Sequence, residues 1–298
     1  MGSSTTPRID ARGALNVTIA YVLWGLFPLF WKQLHGIAAT ELIAHRVVWS
    51  LVFVAGLAFA QGAWAEIAPA VRSPRRLGLH LLSGALLSIN WLAYVWGVNH
   101  DRVLETSLGY FLVPLCNVAM GRMLLGEHLH ARQWWAVGLA AAGVALQFRG
   151  VGGVPWVALT VATSWALYGF LRKRSALGSL AGLTVETALL TPIAGGYLLL
   201  LAADGRGALG HAGAWQQAGV LSAGIVTAVP LLLFAAGARR LPLSTVGILQ
   251  YIVPSLTFLL GVFLYHEPLA PARLASFACI WAALVLYSVG AWRQTKVD

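Results

Sequence analysis

Residues 113–127 read VPLCNVAMGRMLLGE and residues 253–267 read VPSLTFLLGVFLYHE. Laid over one another at a shift of 140 positions, they share Val-Pro at their start, Gly121 with Gly261, Leu124 with Leu264 and Glu127 with Glu267. Beyond them Leu129 meets Leu269, Ala142 meets Ala282 and Leu146 meets Leu286. Leucine and alanine coincide cheaply in an apolar chain; a proline, a glycine and a glutamate at one common shift do not. Near the start of each half a shift of 141 pairs Trp24 with Trp165 and Lys32 with Lys173. The chain therefore reads as two related halves, 1–150 and 151–298, divided at Gly150-Val151-Gly152-Gly153, its clearest turn-forming punctuation.

Composition says what each half is made of. The chain has 298 residues, 59% hydrophobic and 10% charged, against about 25% charged residues in an ordinary soluble domain. Apolar runs lie near 14–32, 41–61, 77–99, 103–125, 132–148, 154–171, 180–202, 214–237, 242–265 and 272–292, and a transmembrane helix needs about 20 residues. The fold expected is an all-α integral membrane protein of ten transmembrane helices, with no room for a soluble domain. The first run follows Arg8 and Arg12 but extends to Trp31 without a small-residue cleavage site, so it reads as a retained span. Cys116 and Cys279 lie inside apolar runs and suit packing better than a disulfide or a zinc site.

Five spans per half is an odd number, so the second copy enters the bilayer upside down. The charges agree. With both termini cytoplasmic, fourteen of the 20 Lys and Arg fall on the cytoplasmic side, five on the other, and Arg46 stays within a span; the opposite orientation inverts that preference. The formal charge of +10 is thus read as loop charge that sets topology, not as a nucleic-acid surface. Inverted repeats let a carrier alternate access around a site near the bilayer midplane.

Several stretches resemble a known family: Glu41-Leu42-Ile43-Ala44-His45-Arg46, Ile89-Asn90-Trp91-Leu92, Leu104-Glu105-Thr106-Ser107-Leu108-Gly109-Tyr110-Phe111 leading to Pro114, and Leu249-Gln250-Tyr251-Ile252-Val253-Pro254. They resemble the drug/metabolite transporter superfamily and, within it, the EamA-domain proteins of the RarD type. The resemblance covers nearly the whole chain. It implies a ten-helix, five-plus-five secondary transporter in a bacterial inner membrane, working as an exporter of a small amphipathic metabolite, amino acid or drug. The chloramphenicol label attached to that type names a phenotype and not a substrate.

Charged side chains inside a bilayer are costly, so each is a functional candidate. Arg46 sits about 9 Å into the second span, and Glu105 begins the fourth from the same side. A pair between them, with His45 beside it, would serve as a gate or an anion-recognising head, or as a static packing contact. Glu186 stands 140 positions after Arg46; it is read as a proton carrier or as the partner of Arg172 or Lys173. Near mid-depth, Asn90, Trp91, Tyr94, Tyr110, Asn117, Ser164, Trp165, Gln250 and Tyr251 offer amides, phenols and aromatic faces to a solute, or hydrogen bonds between helices. Pro114 and Pro254 occupy equivalent positions and are expected to kink their helices.

An enzyme finds little support: the chain has no H-E-x-x-H, G-x-S-x-G or G-x-x-x-x-G-K-[ST]. Glu127-His128-Leu129-His130 is a weak metal candidate, since its repeat copy lacks the second histidine. The expected partners are the lipid bilayer, a small-molecule substrate and coupling protons, in a monomer or homodimer, with no nucleic acid, no metal and no cofactor. The rival reading is a flippase for a lipid-linked or phosphate-bearing substrate, with Arg46 holding the phosphate.

Overall fold

The computed structural model describes residues 10–100, 102–148, 154–266 and 271–294. Glu267, Leu269 and the division at 150–153 lie outside the described residues. Among the described residues there is no strand. The helices are α1 (Ala11–Gly25), α2 (Phe27–Trp31), α3 (Ala39–Ala60), α4 (Trp64–Val71), α5 (Pro74–Asn99), α6 (Val103–Leu124), α7 (Ala131–Gln147), α8 (Trp156–Arg174), α9 (Ser179–Ala203), α10 (Ala214–Ala238), α11 (Leu243–Leu249), α12 (Ile252–Leu259) and α13 (Pro271–Gln294).

Among the described residues, seven stretches are long and apolar enough to cross a membrane: Ala11–Leu34, Ala39–Ala60, Pro74–Gly97, Glu105–Leu124, Ser179–Ala203, Ala214–Ala238 and Leu243–Leu264. The other three expected spans fall short of that measure. Helix α7 has 17 residues, the apolar part of α13 is Arg273–Val289, and α8 ends in Arg172, Lys173 and Arg174. Large apolar side chains are exposed along the helices, with Phe59 80%, Met123 81% and Ile193 79% exposed. Such a surface suits lipid, not water, and the chain is an all-helical, multi-span membrane protein.

Helix α4 was not expected. It follows α3 and tucks Ile67 and Ala70 against Ala181 and Val185 of α9. The Leu243–Leu264 stretch is also interrupted. Pro254 has no N–H to offer the carbonyl four residues back, and around that point the backbone tightens, with Gln250 N–H bonding Gly247 O, Tyr251 N–H bonding Ile248 O and Val253 N–H bonding Gln250 O. Helix α6, in contrast, runs unbroken through Pro114, so the two prolines related by the shift sit in helices of different continuity.

The packing has an exchange pattern. Helix α6 packs on α8 and α1 on α11 and α12; α5 packs on α8 and α1 on α10; α3 packs on α10 and α5 on α9. Each contact has a counterpart under exchange of α1 with α8, α3 with α9, α5 with α10 and α6 with α11–α12. The helices that pair with their own counterparts, α3 with α9, α6 with α11 and α7 with α13, also touch. Close crossings are made possible by small residues: a Cβ on Gly224 of α10 would lie 2.2 Å from the carbonyl carbon of Trp49 on α3. The two larger apolar cores among the described residues lie centrally and to one side. The central one contains Tyr21, Trp165, Tyr168 and Phe234, and a lateral one between α6, α7 and α13 contains Phe111, Tyr251, Phe277 and Tyr287.

Candidate functional site

Helix α8 carries Trp165, Tyr168 and Arg172 three and four residues apart, which places them along one helix face, with Ser164 beside Trp165. That face lines the central core. Trp165 meets Trp24 edge to face at 5.2 Å between ring centroids and lies 5.5 Å from Phe234. Residues paired by the 141-position shift therefore touch. This aromatic layer joins a half-buried and a buried charged group: Trp91, which holds Arg46, packs against it, and Tyr168, one of its members, hydrogen-bonds Glu186.

Glu186 is fully enclosed. Its Oε1 accepts from Ser83 Oγ at 2.5 Å, Arg172 Nη1 at 3.2 Å and His80 Nδ1 at 3.2 Å, and its Oε2 accepts from Tyr168 OH at 3.4 Å. The second ring nitrogen of His80 meets Ser175 Oγ at 3.2 Å, and Arg172 Nη2 donates to Gly178 O at 3.4 Å and Ser179 O at 3.2 Å. The guanidinium fits because residue 182 is glycine: a Cβ there would fall 2.0 Å from Arg172 Nη1. Of the two partners open to Glu186 in the sequence, Arg172 is the one that pairs; Lys173 donates to backbone carbonyls of Ala238 and Leu241. Arg172 Nε is the one guanidinium nitrogen left without a partner among the described residues, and a buried ion pair of this kind is costly to break from one side, by about 3–5 kcal/mol.

Arg46 has different company. Its Nε donates to Thr227 Oγ1 of α10 at 3.0 Å, and its guanidinium lies over Trp91 at 4.5 Å and Trp31 at 5.0 Å. Among the described residues no carboxylate lies within ion-pair reach of it. The expected Arg46–Glu105 pair is not formed. Glu105 accepts instead from Arg102 Nη1 at 3.1 Å, three residues away, where the helix itself supplies proximity. His45, on the same helix as Arg46, turns to its own neighbours, meeting Glu41 at 3.6 Å and accepting from Trp49 Nε1 at 3.3 Å.

The mid-depth candidates divide. Asn90 Nδ2 donates to Val161 O at 2.9 Å and Ser164 Oγ at 3.2 Å, and Tyr110 OH reaches Asn90 Oδ1 at 3.4 Å. Tyr94 pairs with Tyr110 at 6.0 Å between rings. Tyr110, with Trp91 and Trp165, belongs to the central core beside Arg46, whereas Tyr94 is an exposed ring at its edge. Gln250 accepts from Tyr21 OH at 3.4 Å across α1 and α11. Asn117 is buried where α6 crosses α11, beside Gly247. Tyr251 points into the lateral core and is not part of the Arg46 neighbourhood. Trp165 Nε1, Asn117 Oδ1 and Tyr251 OH have no hydrogen-bond partner.

The sequence reading missed His80, Ser83, Tyr168, Thr227 and Trp31. His80, a titratable group in the apolar run Leu79-His80-Leu81, was detectable by the rule that flagged Arg46. Trp31 was detectable too, because a shift of 141 places it opposite Arg172, so the Arg46–Trp31 and Glu186–Arg172 contacts are equivalents in the repeat. Thr227 had no signal. Glu127, matched in the repeat, proves to be a cap: its carboxylate accepts from Leu243 N at 2.5 Å, Ser244 N at 3.0 Å and Ser244 Oγ at 2.8 Å, satisfying the first turn of α11. No metal-binding cluster occurs among the described residues.

Comparison with known proteins places this arrangement among others. The model of the EamA-like transporter family matches residues 11–149 and again residues 153–289. The uncharacterized transporter YojE of Bacillus subtilis (strain 168) is 44% identical over 280 residues, 93% of each chain. Protein RarD of Streptomyces exfoliatus is 43% identical over 277 residues, 93% of this chain and 88% of its own. One protein of known crystal structure superposes with a TM-score of 0.70 at 21% identity, over 94% of this chain and 98% of its own, which is a likeness of fold.

Proposed function

The chain belongs to the EamA-like transporter family, and from that premise we propose that it is a secondary carrier that exports a small amphipathic solute, a metabolite, amino acid or drug, by alternating access between two inverted five-helix repeats, 1–150 and 151–298. The exchange pattern of the helix contacts supports the repeat, and the asymmetry of loop charges supports a bacterial inner membrane with both termini cytoplasmic. Counted with the repeat, α7, α8 and α13 complete ten spans.

One observation carries the reading. Arg46, about 10 Å along α3, rests on two indoles and one hydroxyl without a carboxylate partner. A cation kept so is expected to find its counter-charge in something that comes and goes. A solute with an anionic head and an apolar body fits: the head to Arg46, the body to Trp91, Tyr110 and the Trp24–Trp165 pair. His80, set between Glu186 and Ser175, is the group through which protons would couple.

The test is uptake into proteoliposomes of labelled amino acids, amphenicols and other metabolites, with and without a pH gradient. Saturable flux of an anionic or zwitterionic amphiphile, faster with the gradient, is the expected result. No saturable flux of any member sinks the proposal. A flippase for a phosphate-bearing lipid would instead translocate a fluorescent phospholipid and leave the solute panel unmoved.

A further inference from the structure

Where α5 begins and α8 ends, a cavity of about 280 Å³ is lined by Arg75, Arg76, Arg174, His80 and Ser175. Among the described residues, none of the three arginines has a carboxylate within ion-pair distance. The carboxylates on neighbouring elements are engaged elsewhere: Glu66 of α4 accepts the N–H of Gly178 at 3.3 Å, and Glu186 is enclosed with Arg172 behind His80. A fourth guanidinium, Arg239, donates to the carbonyl of Leu177, another lining residue.

The helix adds to this charge. The start of an α-helix carries a partial positive charge and free N–H groups. Acidic residues belong there, yet the first turn of α5 has none, Ser73 makes no side-chain cap and Arg75 and Arg76 follow at once. Arg174, at the end of α8, suits its own helix's dipole but is brought against the start of α5. Orientation by the positive-inside rule accounts for basic residues on this end of the bundle. It does not account for three arginines, none with a carboxylate partner among the described residues and one of them, Arg174, with its guanidinium over Phe170 at 5.3 Å, lining one concavity at a helix N-terminus.

We propose that this cavity is a binding site for a phosphate-type anion. Guanidinium forks match phosphate oxygens in pairs, and the uncapped N–H groups of α5 supply further donors. The phosphate would come from an anionic phospholipid headgroup or from free phosphate. His80, the buried wall of the site, separates it by one side chain from Glu186. The inference goes beyond the carrier reading and is tested by binding, not flux.

Full-length protein in neutral detergent is given equal phosphatidylglycerol and phosphatidylcholine, and bound lipid is read by native mass spectrometry. In a second arm, inorganic phosphate is titrated calorimetrically against chloride at matched ionic strength. The variants are Arg75→Gln/Arg76→Gln/Arg174→Gln and a control of equal charge loss, Arg12→Gln/Arg122→Gln/Arg132→Gln. Wild type should retain phosphatidylglycerol or bind phosphate, the arm that responds identifying the source. The cavity variant should lose that binding by about fivefold per arginine, while the control keeps it. Should the triple variant not elute monodisperse, Arg174→Gln alone should lose about fivefold. Equal losses in cavity and control variants, or no preference in wild type in either arm, would overturn the proposal.

Discussion

Arg46 and Glu186 are each the eighth residue of their helices, α3 and α9, stand 140 positions apart and contact equivalent positions, yet they are treated in opposite ways. The anion is surrounded by Arg172, His80, Ser83 and Tyr168 and has no exposed surface. The cation is half-buried, and where the second half offers the guanidinium of Arg172 the first offers the indole of Trp31. A buried carboxylate held by a full set of donors is a seal: its free energy is already spent inside the protein. A guanidinium on two aromatic faces keeps its hydrogen-bonding edges largely free, since cation–π contact engages its flat face. On the proposed carrier reading, the two positions related by the shift divide into a closed end and an end able to receive a ligand.

The comparison breaks most readily at the seal. Arg172→Leu leaves Glu186 buried without its cation and should cost about 3–5 kcal/mol, read as a lowered unfolding midpoint in detergent. Arg172→Leu combined with Glu186→Leu removes both charges and should restore most of that loss. If the double variant is no more stable than the single, the pair is not the source of the stability. Next comes Gly182→Ala, whose methyl would meet Arg172 Nη1 at 2.0 Å; overpacking of this kind costs about 1–3 kcal/mol. In the Arg172→Leu background the same substitution should be nearly free, and a double-mutant cycle measures that coupling.

At the other end, Trp91→Phe and Trp31→Phe keep a ring but weaken the cation–π contact by about 0.5–1 kcal/mol. Each should raise the KM of an anionic solute about three- to fivefold while leaving the unfolding midpoint close to wild type. Smaller still is the stability effect of Arg46→Gln, expected below about 1 kcal/mol. The lost contacts are offset by no longer having to hold a charge in the bundle.

Much of this was legible in the sequence. Long apolar runs bounded by basic or turn-forming residues read directly as helices, and Trp24 with Trp165, paired by shift alone, are in contact. Arg172 as one of two partners for Glu186 was legible because position and sign both pointed there. The Arg46–Glu105 pair failed for a local reason: Arg102 lies three residues from Glu105 on the same helix end, and such proximity outcompetes a partner brought from another helix. Thr227 could not have been found, since its contact with Arg46 spans 181 residues and a lone threonine in an apolar helix carries no signal. Helix α4 was missed because eight residues with two buried positions are too short to reveal a period. The unequal behaviour of Pro114 and Pro254 depends on tertiary packing, as α11 is pressed at Gly247 against Pro114 itself.

The claim that Arg46 receives the solute while Glu186 seals the bundle is tested most directly by the flux of the Arg46→Gln variant in proteoliposomes, measured beside its unfolding midpoint and against the solute that wild type carries fastest. The account predicts an unfolding midpoint near wild type with flux reduced at least about tenfold, the scale of one charge-assisted contact of about 1.5–3 kcal/mol. A normally folded variant that transports at the wild-type rate would contradict it.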